Sequence, residues 1–307
     1  MSKNKKHIVL ITTGGTIAGV GTPGCDTGYT SGILSGKDLL SSLSDFQINP
    51  EIKIIELCNK NSDDITSSDW LRLVKLINKK GEESDTDAFI ITHGTDTMEE
   101  TAFFLSLTVK TDKPVILTGA MKPSTSSNPD GPRNLYDVIN LVNSSDSLSS
   151  GVYVFMNGQI YTALEAEKKR TFGEDAFESG FSIIGPRNPW FGCFDCSSRF
   201  DVDNLETLPK VSIVYFYTDA DVRLLEFAAE NSDGIVIAGA GAGEFSLKWA
   251  EVIKDLSIPV IFSTRIGSGR VPDTIPYCFN AISAGDLSPQ KAAILLRLCL
   301  GELKNAP

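Results

Sequence analysis

The sequence predicts an open α/β protein of two domains, each built on a mostly parallel sheet. Three observations point there. Runs rich in β-branched residues recur along the chain, most of them apolar without polar alternation, as strands buried on both faces of a parallel sheet are. Each run is followed by a Gly- or Asp-rich turn and then a segment of helical periodicity, an alternation that places ligands at the carboxyl ends of the strands. At 307 residues the chain has the length of about two domains of roughly 150 residues, or of one large α/β unit.

Taken in order, strands are expected over His7–Thr12, Ile52–Leu57, Ala88–Thr92, Pro114–Leu117, Gly151–Met156, Val211–Tyr217, Gly234–Ala238 and Pro259–Ser263. The helices expected between and after them are Gly36–Leu43, Ser68–Lys80, Met98–Val109, Gly131–Asn143, Asp221–Asn231, Phe245–Asp255 and Ser288–Leu303. Ser67 or Ser68 is expected to cap the helix through Trp70, Leu73 and Ile77, and Ser288 stands before Pro289 at a first helical position. The stretch Asn188–Pro209, with two prolines, several aromatics and scattered charges, fits neither periodicity. It divides an N-terminal domain, 1–190, from a C-terminal domain, 210–307, through a linker over 191–209.

Composition narrows the function. Lys and Arg total 28 against 39 Asp and Glu, a formal charge of −11, which disfavours nucleic acid and other polyanions. No run approaches the 18 or so apolar residues of a membrane helix, and the apolar run after the basic N-terminus, Ile8 to Ile11, is too short for a signal-peptide core. A soluble cytoplasmic protein without membrane partners is expected. The six cysteines, at 25, 58, 193, 196, 278 and 299, are too sparse for a disulfide framework. Cys193 and Cys196 form a single Cys-x-x-Cys, but with only His7 and His93 in the chain there is no second pair to complete a zinc site. Neither a metal nor another cofactor is called for.

Two segments concentrate chemistry. Leu10–Gly19 is a strand breaking into Gly14, Gly15 and Thr16; glycines let backbone N–H groups converge on an anion while Thr16 offers a hydroxyl. By itself it reads as a phosphate cradle, a nucleophile turn or a plain tight turn, and it lacks the Gly-Lys-Ser/Thr ending of a nucleotide loop. Ile90–Thr101 packs His93, Thr95, Asp96 and Thr97 at the end of another strand. That density exceeds what solvating a loop requires, although Asp96 or Thr97 can also cap the following helix, with Glu99 and Glu100 at its positive end. Ala238–Glu244 is glycine-rich as well, but it lacks the full dinucleotide spacing and reads as packing. His93 is expected to orient its turn through hydrogen bonds rather than act as a base.

Thr13–Ala18 and His93–Met98 are similar, in combination, to the two signature segments of the bacterial-type L-asparaginase/glutaminase amidohydrolases. Gly28–Thr30, Thr118–Ser124, Ser126–Leu135 and Leu287–Ala292 extend the resemblance, in order, over nearly the whole chain. It implies a larger flavodoxin-like N-terminal domain and a smaller Rossmann-like C-terminal one. It further implies that Thr16 is the nucleophile with Tyr29 as its partner, and that Thr95, Asp96 and Lys168 form a second catalytic group. Lys168 lies eleven residues before Ser179, and Lys169 is its neighbour. Ser62 matches the position that holds a substrate carboxylate, while Asp63 stands where many members carry Gln.

The chemistry explains these residue types. A threonine hydroxyl needs a proton acceptor beside it, and a lysine acting as base needs an environment that disfavours its charge. Asp96 suits a substrate ammonium. Backbone N–H groups at Gly15, Gly94 and Ala120 are placed to receive an oxyanion. The implied reaction is hydrolysis of asparagine to aspartate and ammonia through an acyl-threonine. A glutaminase-leaning enzyme with the same residues, or a silent amino-acid-binding protein on the same fold, are the alternatives. The resemblance also implies tetramers of close dimers, in which a neighbour's C-terminal domain completes the site. Here Ser263–Arg270 matches the neighbour's Ser-Arg turn, Ser257–Pro259 lacks the family's asparagine, and Val271–Tyr277 is shortened.

Overall fold

A computed structural model describes residues 5–144, 148–179, 200–275, 278 and 281–305. The chain divides into two compact units, residues 1–179 and 180–307. Of the expected boundary stretch, residues 188–199, with Cys193 and Cys196, lie outside the described residues.

The first unit runs β1 (His7–Gly14), α1 (Gly36–Ser41), β2 (Glu51–Lys60), α2 (Ser67–Gly81), β3 (Ala88–Thr92), α3 (Met98–Thr108), β4 (Pro114–Thr118), α4 (Gly131–Ser144), β5 (Gly151–Met156) and β6 (Gln159–Thr162). Its sheet has the order β2-β1-β3-β4-β5-β6, parallel except for β6, which returns antiparallel to β5. The order 2-1-3-4-5 is the flavodoxin-like winding, whose direction reverses between β1 and β3 and opens a crevice at their carboxyl ends. β1 and β3 are buried along almost their whole length, which is why they read as unbroken apolar runs. On one sheet face Ile8, Leu10, Ile90 and Ile116 join Leu39, Leu135, Val138 and Ile139 in a continuous core.

Local chemistry sets the ends of these elements. α2 is capped by Thr66 rather than by Ser67 or Ser68: the Thr66 hydroxyl accepts from the Asp69 N–H while the Asp69 carboxylate accepts from the Thr66 N–H. This reciprocal box satisfies two donors, which a lone serine cap does not do. β5 and β6 are joined by Asn157 and Gly158 with φ of 48° and 73°, the left-handed pair that a two-residue hairpin requires. A second hairpin, β7 (Ala166–Lys168) with β8 (Phe177–Ser179), completes the unit.

The second unit holds β9 (Val211–Tyr215), α5 (Arg223–Glu230), β10 (Gly234–Gly239), α6 (Leu247–Lys254), β11 (Val260–Thr264), β12 (Ala281–Ser283) and α7 (Pro289–Asn305). Its four strands are parallel in the order β12-β11-β10-β9, around a core centred on Trp249 and Phe262. The glycine-rich turn after β10 closes on itself, with the Glu244 carbonyl accepting from Ala240 (2.8 Å) and the Gly239 carbonyl accepting from Arg265 (2.9 Å). Pro289 opens α7 behind Ser288, as a proline at a first helical position does.

Thr12, Thr92 and Thr118 are register partners across β1, β3 and β4, so their side chains share one face. The Thr118 hydroxyl donates to the Phe155 carbonyl, but those of Thr12 and Thr92 are buried with no partner among the described residues. Burying an unsatisfied hydroxyl costs about 1–3 kcal/mol. Thr12→Val keeps the shape and removes that cost, so it is expected to raise unfolding stability by roughly 1 kcal/mol in urea titration; a drop of that size instead means the hydroxyl is bonded.

Candidate active site

The end of β1 is shaped so that Thr16 lies over the crevice. The register between β1 and β2 shifts between Thr12 and Gly14, an irregularity of the kind that re-aims side chains at sites. The Thr13 hydroxyl donates to the Thr92 carbonyl (3.0 Å), tying β1 to β3. Gly15 has φ 77°, and a Cβ there would collide with the Gly94 amide nitrogen; a Cβ on Gly94 would press on the Ser62 side chain. The two polar turns therefore touch backbone to backbone, which side chains at these positions would prevent.

Thr16 follows, 8 % exposed, in a short 3-10 turn with its Oγ1 2.7 Å from the Tyr29 hydroxyl. The loop bearing Tyr29 is pinned by reciprocal bonds between Val20 and Thr30, each 2.9 Å. The Gly15 N–H itself donates to the Lys60 carbonyl (2.9 Å), which corrects the expectation that it serves as an oxyanion donor. Lys60 is anchored in turn by its ammonium on the buried Asp69 (2.7 Å), in the first turn of α2. Burial pushes the Asp69 carboxyl up, but its bonds to Lys60 and Thr66 together hold it below its ordinary value.

The turn after β3 carries the second group. Lys168 Nζ donates to Thr95 Oγ1 at 2.8 Å and to Asp96 Oδ1 at 2.6 Å. The side chain of Lys168 is 14 % exposed and that of Asp96 67 %, so the carboxylate faces open solvent beyond the ammonium. Lys169 Nζ instead pairs with Glu167. The Lys168 N–H donates to the buried Glu99 carboxylate, which clamps β7 onto the first turn of α3. Neither Asp96 nor Thr97 caps α3 with its side chain: the Thr97 hydroxyl donates to the Ser62 carbonyl (2.7 Å), because the neighbouring turn offers a nearer acceptor. Ser62 is buried there and Asp63 beside it is exposed.

His93 lies 1 % exposed beneath the turn, with Nδ1 2.7 Å from the Gly94 carbonyl and Nε2 3.0 Å from Thr101 Oγ1. Burial pulls its pKa down to about 4, so the ring is neutral at pH 7. The expected role in orienting the turn matches this placement. Ala120 is fully buried in the turn after β4. Asp130 accepts from the Met121 and Lys122 N–H groups (each 2.9 Å), and Asn134 donates to the Gly119 carbonyl (3.0 Å). Burial raises the Asp130 carboxyl above its ordinary value.

Thr101, Asp130 and Asn134 do not stand out by residue type, and Glu99 reads only as an acid at a helix start, because polar residues at a helix start or in a loop are ordinary there. What marks them is burial, which alternation alone does not reveal. Among the described residues no group of three or more His, Cys, Asp or Glu is placed to hold a metal ion. The arrangement is two threonine hydroxyls, each hydrogen-bonded to a group that can exchange a proton, at the carboxyl ends of the two strands flanking the switch point. That suits acyl transfer with an activated hydroxyl.

Residues 7–185 match the family model described as Asparaginase, N-terminal, and residues 210–306 the Glutaminase/Asparaginase C-terminal domain. The chain belongs to the asparaginase family. Among its relatives are the L-asparaginase 2 of Escherichia coli and the probable L-asparaginase periplasmic of Haemophilus influenzae. Each is 36% identical, over 97% of this chain and 90% of its own length. The crystal structure of the probable cytoplasmic L-asparaginase from Campylobacter jejuni superposes with a TM-score of 0.85 at 34% identity. It covers 97% of this chain and 96% of that one.

In this asparaginase-family chain, Gly15→Ala puts a side chain at a left-handed φ and against the Gly94 backbone. It is expected to destabilise the protein by roughly 2 kcal/mol or more and to lower activity in the fraction that folds. Equal stability and turnover in thermal unfolding and assay would show that the two turns do not depend on their contact.

Proposed function

We propose that this chain hydrolyses the side-chain amide of L-asparagine, giving L-aspartate and ammonia through an ester on Thr16. The observation that carries the reading is the pair of hydroxyl contacts, Thr16 to Tyr29 and Thr95 to Lys168, at the switch point of the sheet. The names of the Escherichia coli, Haemophilus influenzae and Campylobacter jejuni relatives support the amide as substrate.

Thr16 Oγ1 attacks the amide carbon as its proton passes toward Tyr29, and the carbonyl oxygen takes up negative charge. The N–H groups of Gly94 and Ala120 receive that oxyanion. Collapse breaks the C–N bond; the leaving nitrogen takes the proton that Thr16 gave up, passed on through the Tyr29 hydroxyl, and departs as ammonia. Water, oriented by the Thr95 hydroxyl that the Lys168 ammonium holds, then attacks the ester carbon; the C–O bond to Thr16 breaks and water's proton passes by way of Tyr29 to the Thr16 oxygen, returning its hydroxyl. Asp96, whose carboxylate is two-thirds exposed, meets the substrate ammonium, and Ser62 meets the α-carboxylate. Asp63 adds a like charge next to that carboxylate, a weakness that a neutral residue would relieve.

We further propose that the chain works as a homo-oligomer, a dimer of close dimers, with a second copy supplying polar groups. The turn over residues 265–270 supports this: it is exposed throughout and held at its base by Thr264, which donates to the Gly241 carbonyl and accepts from Ile266. Cytoplasmic residence is proposed on the free thiols of Cys25, Cys58, Cys278 and Cys299.

Thr16→Ala is expected to lower kcat by a factor on the order of 10⁴ or more while the protein stays folded. The intact enzyme is expected to prefer asparagine over glutamine in kcat/KM by roughly tenfold or more, the scale of one methylene in a fitted pocket. Near-normal ammonia release from the variant would sink the nucleophile assignment. Parity of the two substrates would sink the narrow specificity.

A further inference from the structure

The His93 side chain is assigned no contact with substrate, yet a row of polar groups, the Trp70 indole, the Thr101 hydroxyl and the Gly94 carbonyl, runs through its buried ring. The Trp70 indole N–H on α2 can only donate, and it donates to Thr101 Oγ1 at 2.8 Å. Thr101, on α3 and fully buried, has one proton of its own, and the remaining partner for it is His93 Nε2 at 3.0 Å. The Gly94 carbonyl, 2.7 Å from Nδ1, can only accept. Every proton in the row is thereby assigned: indole to hydroxyl, hydroxyl to Nε2, and Nδ1 to the carbonyl.

We propose that Trp70, Thr101 and His93 form a one-way hydrogen-bond relay that fixes His93 as the Nδ1–H tautomer and, through it, the plane of the Gly94–Thr95 peptide. His93 is then a positioning residue for the Thr95 hydroxyl, an inference that rests on the hydrolase reading above. A trans peptide is planar, so holding the Gly94 carbonyl on the buried ring fixes the direction of the Thr95 N–H and the start of the Thr95 side chain. The opposite tautomer turns a bare Nδ1 toward a carbonyl oxygen and an N–H toward a hydroxyl already taking the indole proton. The Gly94 contact is lost, the Thr101 proton is left without the Nε2 acceptor, and the turn is no longer held from beneath. Trp70 is itself set by stacking on Phe104 at 5.0 Å, so the relay starts from a fixed point in the core.

The chain has only two histidines, His7 and His93, so ¹⁵N–¹H correlation of the imidazole rings reads the relay directly, without substrate. In the wild-type protein at neutral pH, His93 is expected to show a protonated Nδ1 and a bare Nε2. Thr101→Val, which removes the hydroxyl and keeps the shape, is expected to shift the Nε2 resonance. It should also lower kcat by roughly ten- to a hundredfold, with KM within about twofold, the pattern of a misplaced reacting group. Thr101→Ser should restore both. A protonated Nε2 in the wild-type protein overturns the relay whether or not any variant folds; a folded Thr101→Val with wild-type kcat overturns its role in positioning. If the wild-type protein releases no ammonia from asparagine, the hydrolase reading fails while the tautomer remains measurable.

Discussion

The close approach of two backbones, Gly15 after β1 and Gly94 after β3, is the constraint on which the site depends. A parallel sheet that reverses its winding between these strands leaves a crevice at their ends, but a crevice alone sets no geometry. The missing Cβ atoms let the two turns meet, so that Thr16 and Thr95 are carried on one continuous rigid surface. Around it the polar groups are supported from below: Lys60 takes the Gly15 N–H, Thr13 ties β1 to β3, His93 holds the Gly94 carbonyl, and Glu99 holds the Lys168 N–H.

That construction explains why so few exposed charges are needed. A threonine hydroxyl is a weak nucleophile, and on the proposed reading the compensation would be placement rather than a strong base in the free side chain. The ion pair of Lys168 with Asp96 spans the boundary between interior and solvent, the ammonium largely covered and the carboxylate open. On the proposed reading, a substrate ammonium arriving at Asp96 would meet a charge already oriented by its partner.

Much of this was legible in the sequence because the decisive elements are fully buried and follow one another in βα order. The unbroken apolar runs at Ile8–Ile11 and Ala88–Ile91 carry no competing signal, and the glycine and threonine turns after them are dense enough to stand out. What sequence patterning missed was short or polar. β7, β8 and β12 have three residues each, too few for any periodicity, and β6 is largely exposed. The Asn157-Gly158 pair was the available hairpin signal, and Thr66 with Asp69 was the available capping box. Lys168 and Lys169 are indistinguishable by residue type, but successive side chains in a strand point to opposite faces, and only the first reaches Thr95. The Gly15 N–H was misjudged for a related reason: a turn glycine looks like a free donor until the neighbouring strand that takes its proton is in place.

The central claim is that the hydroxyl held by Tyr29, and not the one held by Lys168, becomes covalently bonded to substrate. Rapid acid quenching of the enzyme during turnover of asparagine, followed by peptide mass spectrometry, reads this directly. The account predicts an aspartyl ester on the peptide containing Thr16. An ester on the peptide containing Thr95, or turnover with no ester under conditions where deacylation is slowed, would contradict it.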